Sequence, residues 1–348
     1  DTFLDDGSVQ NRNIENLIGA TQIPLGVAGP IQINGQYAKG GFYLPLSTTE
    51  GALVASVGRG SKAVTLSGGA NVIVQNIGTT RGPVFETENL FKAHELSDWI
   101  NNNIKKLDRE AQKTSEHISL LKAEPEVLGK NVYIRFYFDT KDAMGMNMAT
   151  IATASLNRLI ETETKAKCVA LAGNFDTDKK PSWLNFLKGR GKKVWAEAVI
   201  SKKVINEVLK TTPEKIDKIV RQKCHLGSIM SGSMGFNSHF ANIIAAMFCA
   251  TGQDLAHITE GSLGVTTTDI VDGGLYVSVY LPDLMIGTVG GGTGLPSQKE
   301  ALSIIGIPDS KLKTGEQALK LAEIIGSAVL AGELSLLAAL ASGDLARA

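Results

Sequence analysis

Cysteine is the first scarcity: the 348 residues hold three, Cys168, Cys224 and Cys249. They are odd in number and far apart, which excludes a disulfide framework or a CxxC metal site and fits buried thiols in a reducing compartment. Charge imbalance is also missing, with 35 basic against 35 acidic side chains. Such a chain has no electrostatic footprint for nucleic acid, and any anion it binds must be held by a local cluster. A long uninterrupted apolar run is absent as well. The stretch from Cys224 to Gln253 lacks Asp, Glu, Lys and Arg, yet its Ser, Gly, Asn and His residues break the apolar pattern, so it reads as buried core and not as a membrane span. Neither a GxxxxGK(S/T) loop nor a strand–GxGxxG–helix fingerprint occurs, which excludes the ordinary P-loop and doubly wound dinucleotide sites. No signal peptide is expected, and no internal repeat or low-complexity tail is read. The opening Asp1-Thr2-Phe3 reads as a processed or trimmed N-terminus, and the chain is expected to be soluble and cytoplasmic.

The length, with 43% hydrophobic side chains, predicts two packed domains or one domain with a large insertion. Residues 14 to 46, rich in Gly, Pro and short apolar runs, suit strands and tight turns. Ser47-Thr48-Thr49-Glu50 sets a hydroxyl three residues before a carboxylate, ahead of the apolar-periodic GALVASVGRGSKAV, and reads as a capping box opening a helix. Between Gly82 and Ala172 the character changes. A charged helical stretch (ETENLFKAHELSDWINNNIKKLDREAQ), the alternating run NVYIRFYFD, a helix (MNMATIATASLNRLIETE) and a strand (CVALAG) follow one another. That order predicts a small α+β unit inserted in a larger domain. Beyond it come a polar loop (NFDTDKKPS), a strand (VWAEAVI), a charged helix at Lys202 to Leu209 and a buried helix (SHFANIIAAMFCATGQDLAH). A strand (LYVSVYLP), a glycine loop and one or two Ala/Leu-rich helices from Glu316 to Leu340 complete the chain.

Four motifs carry possible chemistry. TVGGGTG, from Thr288 to Gly294, lets backbone N–H groups approach a phosphate or a nicotinamide ring, although a structural turn explains it as readily. Asp178-Lys179-Lys180-Pro181 puts two ammonium groups beside a carboxylate. A solvated lysine pair is the plain reading; in a pocket, one lysine would stabilise an oxyanion and the other hold a substrate carboxylate. Asp254, read near the C-terminal end of the apolar helix, opposes the helix dipole there, so it is either an exposed last-turn residue, half of a salt bridge, or functional. Asp142-Ala143-Met144-Gly145-Met146-Asn147-Met148 opens a helix with three methionines, either a flexible core filler or a soft wall beside a flat cofactor.

These segments, with ENLIGATQIPLGVAGP, TTEGALVAS, TRGPV and AGELSLLAAL, follow one another as they do in one family across nearly the whole chain. The sequence resembles the 3-hydroxy-3-methylglutaryl-CoA (HMG-CoA) reductases. The resemblance implies an α+β fold: a large substrate-binding and dimerisation domain around a long central helix (1–81 and 172–348), with an inserted small ferredoxin-like NAD(P)-binding domain (82–171). It implies four-electron reduction of HMG-CoA to mevalonate and CoA by two NAD(P)H, for isoprenoid biosynthesis, in a homodimer or dimer of dimers without a metal. Mevalonate oxidation on the same fold and a non-catalytic CoA-binding homologue are the alternatives. Carried over by motif, Glu50, Lys179 and Asp254 form the catalytic set. Ser56, Arg81, Asp178, Lys180 and Asn242 hold the hydroxymethylglutaryl group, Arg81 and Lys180 facing its carboxylate, and Lys223 and His239 lie near CoA. Asp142, Met144, Met146, Val289 and Gly290 line the nicotinamide cofactor. The family's C-terminal histidine is expected beyond Ala348. NADPH is the expected cofactor, with NADH close behind because Glu116 and Asp139 stand where basic residues would meet a 2′-phosphate, Lys130 and Lys141 being candidates to compensate.

Overall fold

The computed structural model describes residue 9 and residues 13–343. Strands β1 (Leu25–Asn34) and β2 (Lys39–Ser47) form an antiparallel hairpin. The helix that follows, α1 (Leu53–Leu66), starts later than the capping-box reading requires: Thr48 Oγ1 accepts the Glu50 N–H at 3.0 Å, and the helix is preceded by Ala52 in a left-handed conformation, with no side-chain cap. The threonine therefore shapes the turn in which Glu50 sits. Strand β3 (Ala70–Arg81) then links two sheets. It pairs with β1 and β8 over most of its course, and its last residues, Thr79–Arg81, pair with β6 of a second sheet.

That second sheet is built from β4 (Val84–Glu86), α2 (Leu90–Asn102), α3 (Ile104–Gln112), β5 (Ser119–Leu128), β6 (Asn131–Asp139), α4 (Met146–Thr164) and β7 (Lys167–Ala170). Its strand order, β7-β4-β6-β5 with every pair antiparallel, is ferredoxin-like. Phe85, Ile134, Phe136, Phe138, Leu156 and Ile160 fill its interior, an apolar cluster separate from the rest. The sequence reading passed over β4 and β5. Strand β4 is three residues long, and β5 is an edge strand carrying Pro125 and the charges Lys122, Glu124 and Glu126, a composition that edge position permits and pattern reading discounts.

After β7 the chain passes through a loop into α5 (Trp183–Lys188) and β8 (Arg190–Ile200). Helical turns at 202–209 and α6 (Pro213–Ile219), continued by wider turns to residue 231, lead to β9 (Gly235–Phe236), α7 (Phe240–Thr251), β10 (Gly264–Val271), β11 (Gly274–Leu284), α8 (Pro296–Ile304) and α9 (Glu316–Ser342). The large sheet runs β2-β1-β3-β8-β11-β10-β9. Helix α9 is long and apolar enough to cross a membrane, yet 83% of its apolar window is buried, because it lies against α1, α7, β3, β8 and β11 as the central core helix. Gly60 is required there: a side chain at that position in α1 would collide with the Ala331 carbonyl of α9.

Two carboxylates interrupt α9 on the inside. Glu323 accepts the N–H groups of Gln36, Tyr37 and Ala38 at 3.1, 2.9 and 2.6 Å, fixing the β1–β2 turn. Glu333 accepts those of Ser238 and His239 at 2.9 and 2.6 Å, and the Thr266 hydroxyl at 2.7 Å, fixing the start of α7. The architecture is the expected α+β arrangement, a long central helix with a ferredoxin-like insert.

Candidate active site

The loop from β7 to α5 contains three non-glycine residues in the left-handed region, Asn174, Thr177 and Lys179, with φ of 62°, 54° and 56°. Each such residue costs on the order of 1 kcal/mol and persists only where its surroundings impose it. The surroundings here are specific. Fully buried Arg135 of β6 donates to the carbonyls of Phe175 and Gly189 and to Asn185 Oδ1. Arg81, at the end of β3, pairs with Asp176 at 3.1 Å and donates to Thr150 at 2.8 Å. Gly82 lets the Asp176 backbone approach so closely that a side chain there would strike it.

The strained turn presents the Lys179 ammonium to Asp254, 2.8 Å away. Asp254 is not in the last turn of α7. Gly252, at φ 72°, ends that helix, and Asp254 caps the next helical turn, its Oδ1 accepting the Ala256 N–H at 3.0 Å. The carboxylate thus sits at a favourable helix N-terminus, which corrects the dipole argument from the sequence. Partial burial pushes its carboxyl up. The Lys179 ammonium, the Ala256 N–H and the His257 imidazole outweigh that effect and hold it below the usual range.

Behind this pair lies a charge cluster that motif reading missed. Arg190, fully buried at the start of β8, reaches Glu260 and Asp178, both at 2.8 Å, and His257 Nδ1 lies 2.6 Å from the same Glu260 oxygen. Asp178, His257 and Glu260 hold ligand-type atoms within 4.8 Å of one another, as a metal site would. The Arg190 guanidinium already supplies positive charge to both carboxylates. In the sequence Arg190 is one of four basic residues in the stretch KGRGKK and Glu260 lies in the polar segment HITEGS, so the three-residue spacing of His257 and Glu260 was the one signal available.

Arg81, Asp178, Lys179 and Asp254 line a cavity of about 790 Å³ with Met144, Met146, Met148, Val289 and Gly290–Gly292. Lys223, His239 and Asn242 line a second cavity, of about 880 Å³, which Pro181 also borders. Glu50 joins this group: it is exposed, and its Oε2 accepts the Asn242 amide at 2.7 Å. Three expectations change. The Arg81 guanidinium is engaged by Asp176 and Thr150, whereas the exposed Lys180 ammonium donates to the Asp178 carbonyl at 3.3 Å and keeps further N–H donors for a substrate carboxylate. Ser56 lies on α1 and donates to Ser335 of α9 at 2.9 Å, outside both cavities. The Asp142 carboxylate turns away from the cavity to accept the Gly315 and Ala318 N–H groups at 2.7 and 3.0 Å, while the neighbouring Ala143 bridges to Val289. The acidic neighbourhood is also altered: Asp139 is bound by Lys141 at 2.5 Å and by Asn76 at 3.0 Å, Lys130 pairs with Glu86, and Glu116 alone is open to solvent.

Fold and cavity define a class: an α+β enzyme whose lysine–carboxylate pair faces a cleft walled by methionine and glycine. The comparisons narrow it. The Hydroxymethylglutaryl-coenzyme A reductase family matches residues 2–348. The chain is 53% identical over 349 residues to 3-hydroxy-3-methylglutaryl-coenzyme A reductase of Aeropyrum pernix, covering 100% of this chain and 83% of that protein. It is 53% identical over 352 residues to the protein of the same name from Methanocaldococcus jannaschii, covering 99% and 85%. A solved structure of the class II 3-hydroxy-3-methylglutaryl-CoA reductase from Streptococcus pneumoniae bound to NADPH in open conformations matches with a TM-score of 0.74 at 21% identity, over 94% of this chain and 87% of that one, a likeness of fold. The chain belongs to the hydroxymethylglutaryl-coenzyme A reductase family of oxidoreductases.

Proposed function

We propose that this protein reduces HMG-CoA to mevalonate and CoA with two equivalents of NAD(P)H, NADPH first, as a cytoplasmic enzyme of isoprenoid biosynthesis. The observation that carries the reading is the Lys179 ammonium, 2.8 Å from Asp254, in a cavity that also holds the methionine wall and the glycine loop. The cavity suits a nicotinamide cofactor. Gly290 and Gly291 have positive φ and open space where a side chain would project, so backbone N–H groups stay accessible. Met144 and Met146 offer a soft apolar face. Bound there, NAD(P)H supplies hydride to the substrate carbonyl.

Lys179 stabilises the oxyanion that forms when the thioester carbonyl is reduced to a hemithioacetal. The C–S bond then breaks, releasing CoA thiolate and leaving an aldehyde held against the same ammonium. On reduction of the aldehyde, Glu50 gives a proton to the alkoxide and a primary alcohol results. Asn242 fixes the Glu50 carboxyl through its 2.7 Å bond. Asp254 holds the ammonium in place and offsets its charge between the two reductions. We assign Lys223 and His239 to the acyl-CoA arm, since they line the second cavity. We further propose that residues 82–171 act as the cofactor domain of a homodimer. The test is loss of reduced-nicotinamide absorbance on adding HMG-CoA, with NADPH and NADH measured separately. Two cofactors oxidised per CoA released is the expected result, and CoA-thioester binding without oxidation of either cofactor would defeat the reading.

A further inference from the structure

The layer of charge behind Lys179 and Asp254 has no part in the roles assigned so far. His257 is fully buried. Its Nδ1 lies 2.6 Å from Glu260 Oε1, and its Nε2 lies 3.6 Å from Asp254 Oδ2, the oxygen that receives the Lys179 ammonium. Among the described residues, Nε2 has no hydrogen-bond partner. Glu260 is fully buried as well, and the oxygen that meets the imidazole also accepts the Arg190 guanidinium at 2.8 Å and the Lys179 backbone N–H at 3.3 Å. A carboxylate on one nitrogen of an imidazole sets the direction in which the other nitrogen points. In this fold that direction is toward Asp254.

We propose that His257, oriented by Glu260, is a positioning residue for Asp254, supporting its carboxylate from the buried side and keeping it ionised and paired with Lys179. The inference deepens the reductase reading and rests on it. The charged groups facing the imidazole are few. Glu260 and Asp254 come from its own segment, Asp178 lies 3.9 Å from Nδ1, Lys179 stands across Asp254, and Arg190 of β8 acts through Glu260. Fully buried Asp283 of β11 faces Arg190 and Glu260; burial pushes its carboxyl well up, with Arg190 opposing. Among the described residues, no other charged side chain is recorded at Nε2. The influence of His257 on Asp254 is downward, so its removal raises the pH at which Asp254 ionises.

Two variants separate the ends of the ring. In His257→Asn the amide nitrogen takes the place of Nδ1, keeping Glu260 and withdrawing from Asp254; in His257→Gln it takes the place of Nε2. With HMG-CoA as substrate, His257→Asn is expected to lower kcat about tenfold and to move the acid limb of kcat/KM upward by about one pH unit, with KM changed less than about twofold. His257→Gln should recover most of kcat. Titration of carbon-13-labelled aspartate carboxyls reads the same coupling without turnover: the Asp254 midpoint should rise in His257→Asn and return toward wild type in His257→Gln. An Asp254 midpoint unmoved in folded His257→Asn overturns the proposal, as does an equal loss of kcat in both variants with an unchanged pH profile. Wild-type protein inactive on HMG-CoA would instead defeat the functional reading, and the carboxyl titration would still decide the coupling.

Discussion

The buried carboxylates of α9 and those behind Lys179 meet the same physical demand in opposite ways. Glu323 and Glu333 accept three hydrogen bonds each, almost all from backbone N–H groups, and among the described residues neither has an ion-pair partner. Glu260 and Asp178 share Arg190, and Asp254 takes Lys179. Neutral donors on a rigid backbone give a carboxylate one fixed role, which is to tie down a turn. Charged partners on side chains leave room for rearrangement, and His257 Nε2, Glu260 Oε2 and both oxygens of Asp283 are buried there with no hydrogen-bond partner among the described residues. Neutral backbone donors mark these scaffold carboxylates, and charged side-chain partners mark the working end.

Removing the charge that the working end presents has the largest expected effect. Lys179→Ala should lower turnover about 10³-fold, or roughly 4 kcal/mol of barrier, while a CoA thioester still binds in equilibrium dialysis. Near-normal turnover would place carbonyl polarisation elsewhere. Next is the shared cation. Glu260→Gln leaves Arg190 with Asp178 as its remaining ion partner and should cost about 3 kcal/mol of stability in denaturant unfolding. A loss no larger than that of a surface pair would show that the cluster serves chemistry alone. The smallest effect belongs to the scaffold: Glu323→Gln preserves an acceptor and should cost about 1 kcal/mol. It should also change the pH dependence. Burial raises the Glu323 carboxyl, against its three N–H donors, above the ordinary value of 4.5. Its contribution to stability is therefore full below that value and lost as pH rises through the raised one. The wild-type protein should lose stability across this window relative to Glu323→Gln, and parallel stability curves would refute the sign.

The sequence made the large elements legible because α7, α9, β6 and β11 carry unbroken patterns of burial. The edge strand β5 was lost to its proline and charges, and the start of α1 was misplaced because a Ser/Thr–x–x–Glu spacing fits a turn as well as a cap. Of the candidate site, Lys179, Asp178 and Asp254 stood out as charges in suggestive settings, and the structure brings them together. Arg190, His257 and Glu260 did not, because their meaning depends on which strand end faces which helical turn. Asp142 illustrates the reverse error. Its place in a methionine-rich segment suggested a ligand contact, whereas its carboxylate is committed to the start of α9.

That commitment makes Asp142 a coupling pin. Its side chain grips Gly315 and Ala318, its carbonyl takes the Thr288 N–H at 2.7 Å, and Gly287 lies so close to Ala143 and Met144 that it tolerates no side chain. The methionine wall, the glycine loop and the first turn of the core helix are thereby riveted at one point. A fault at that rivet would misalign two walls of the cleft together while leaving every reactive group chemically intact, so the chain can be disarmed from a residue that performs no chemistry.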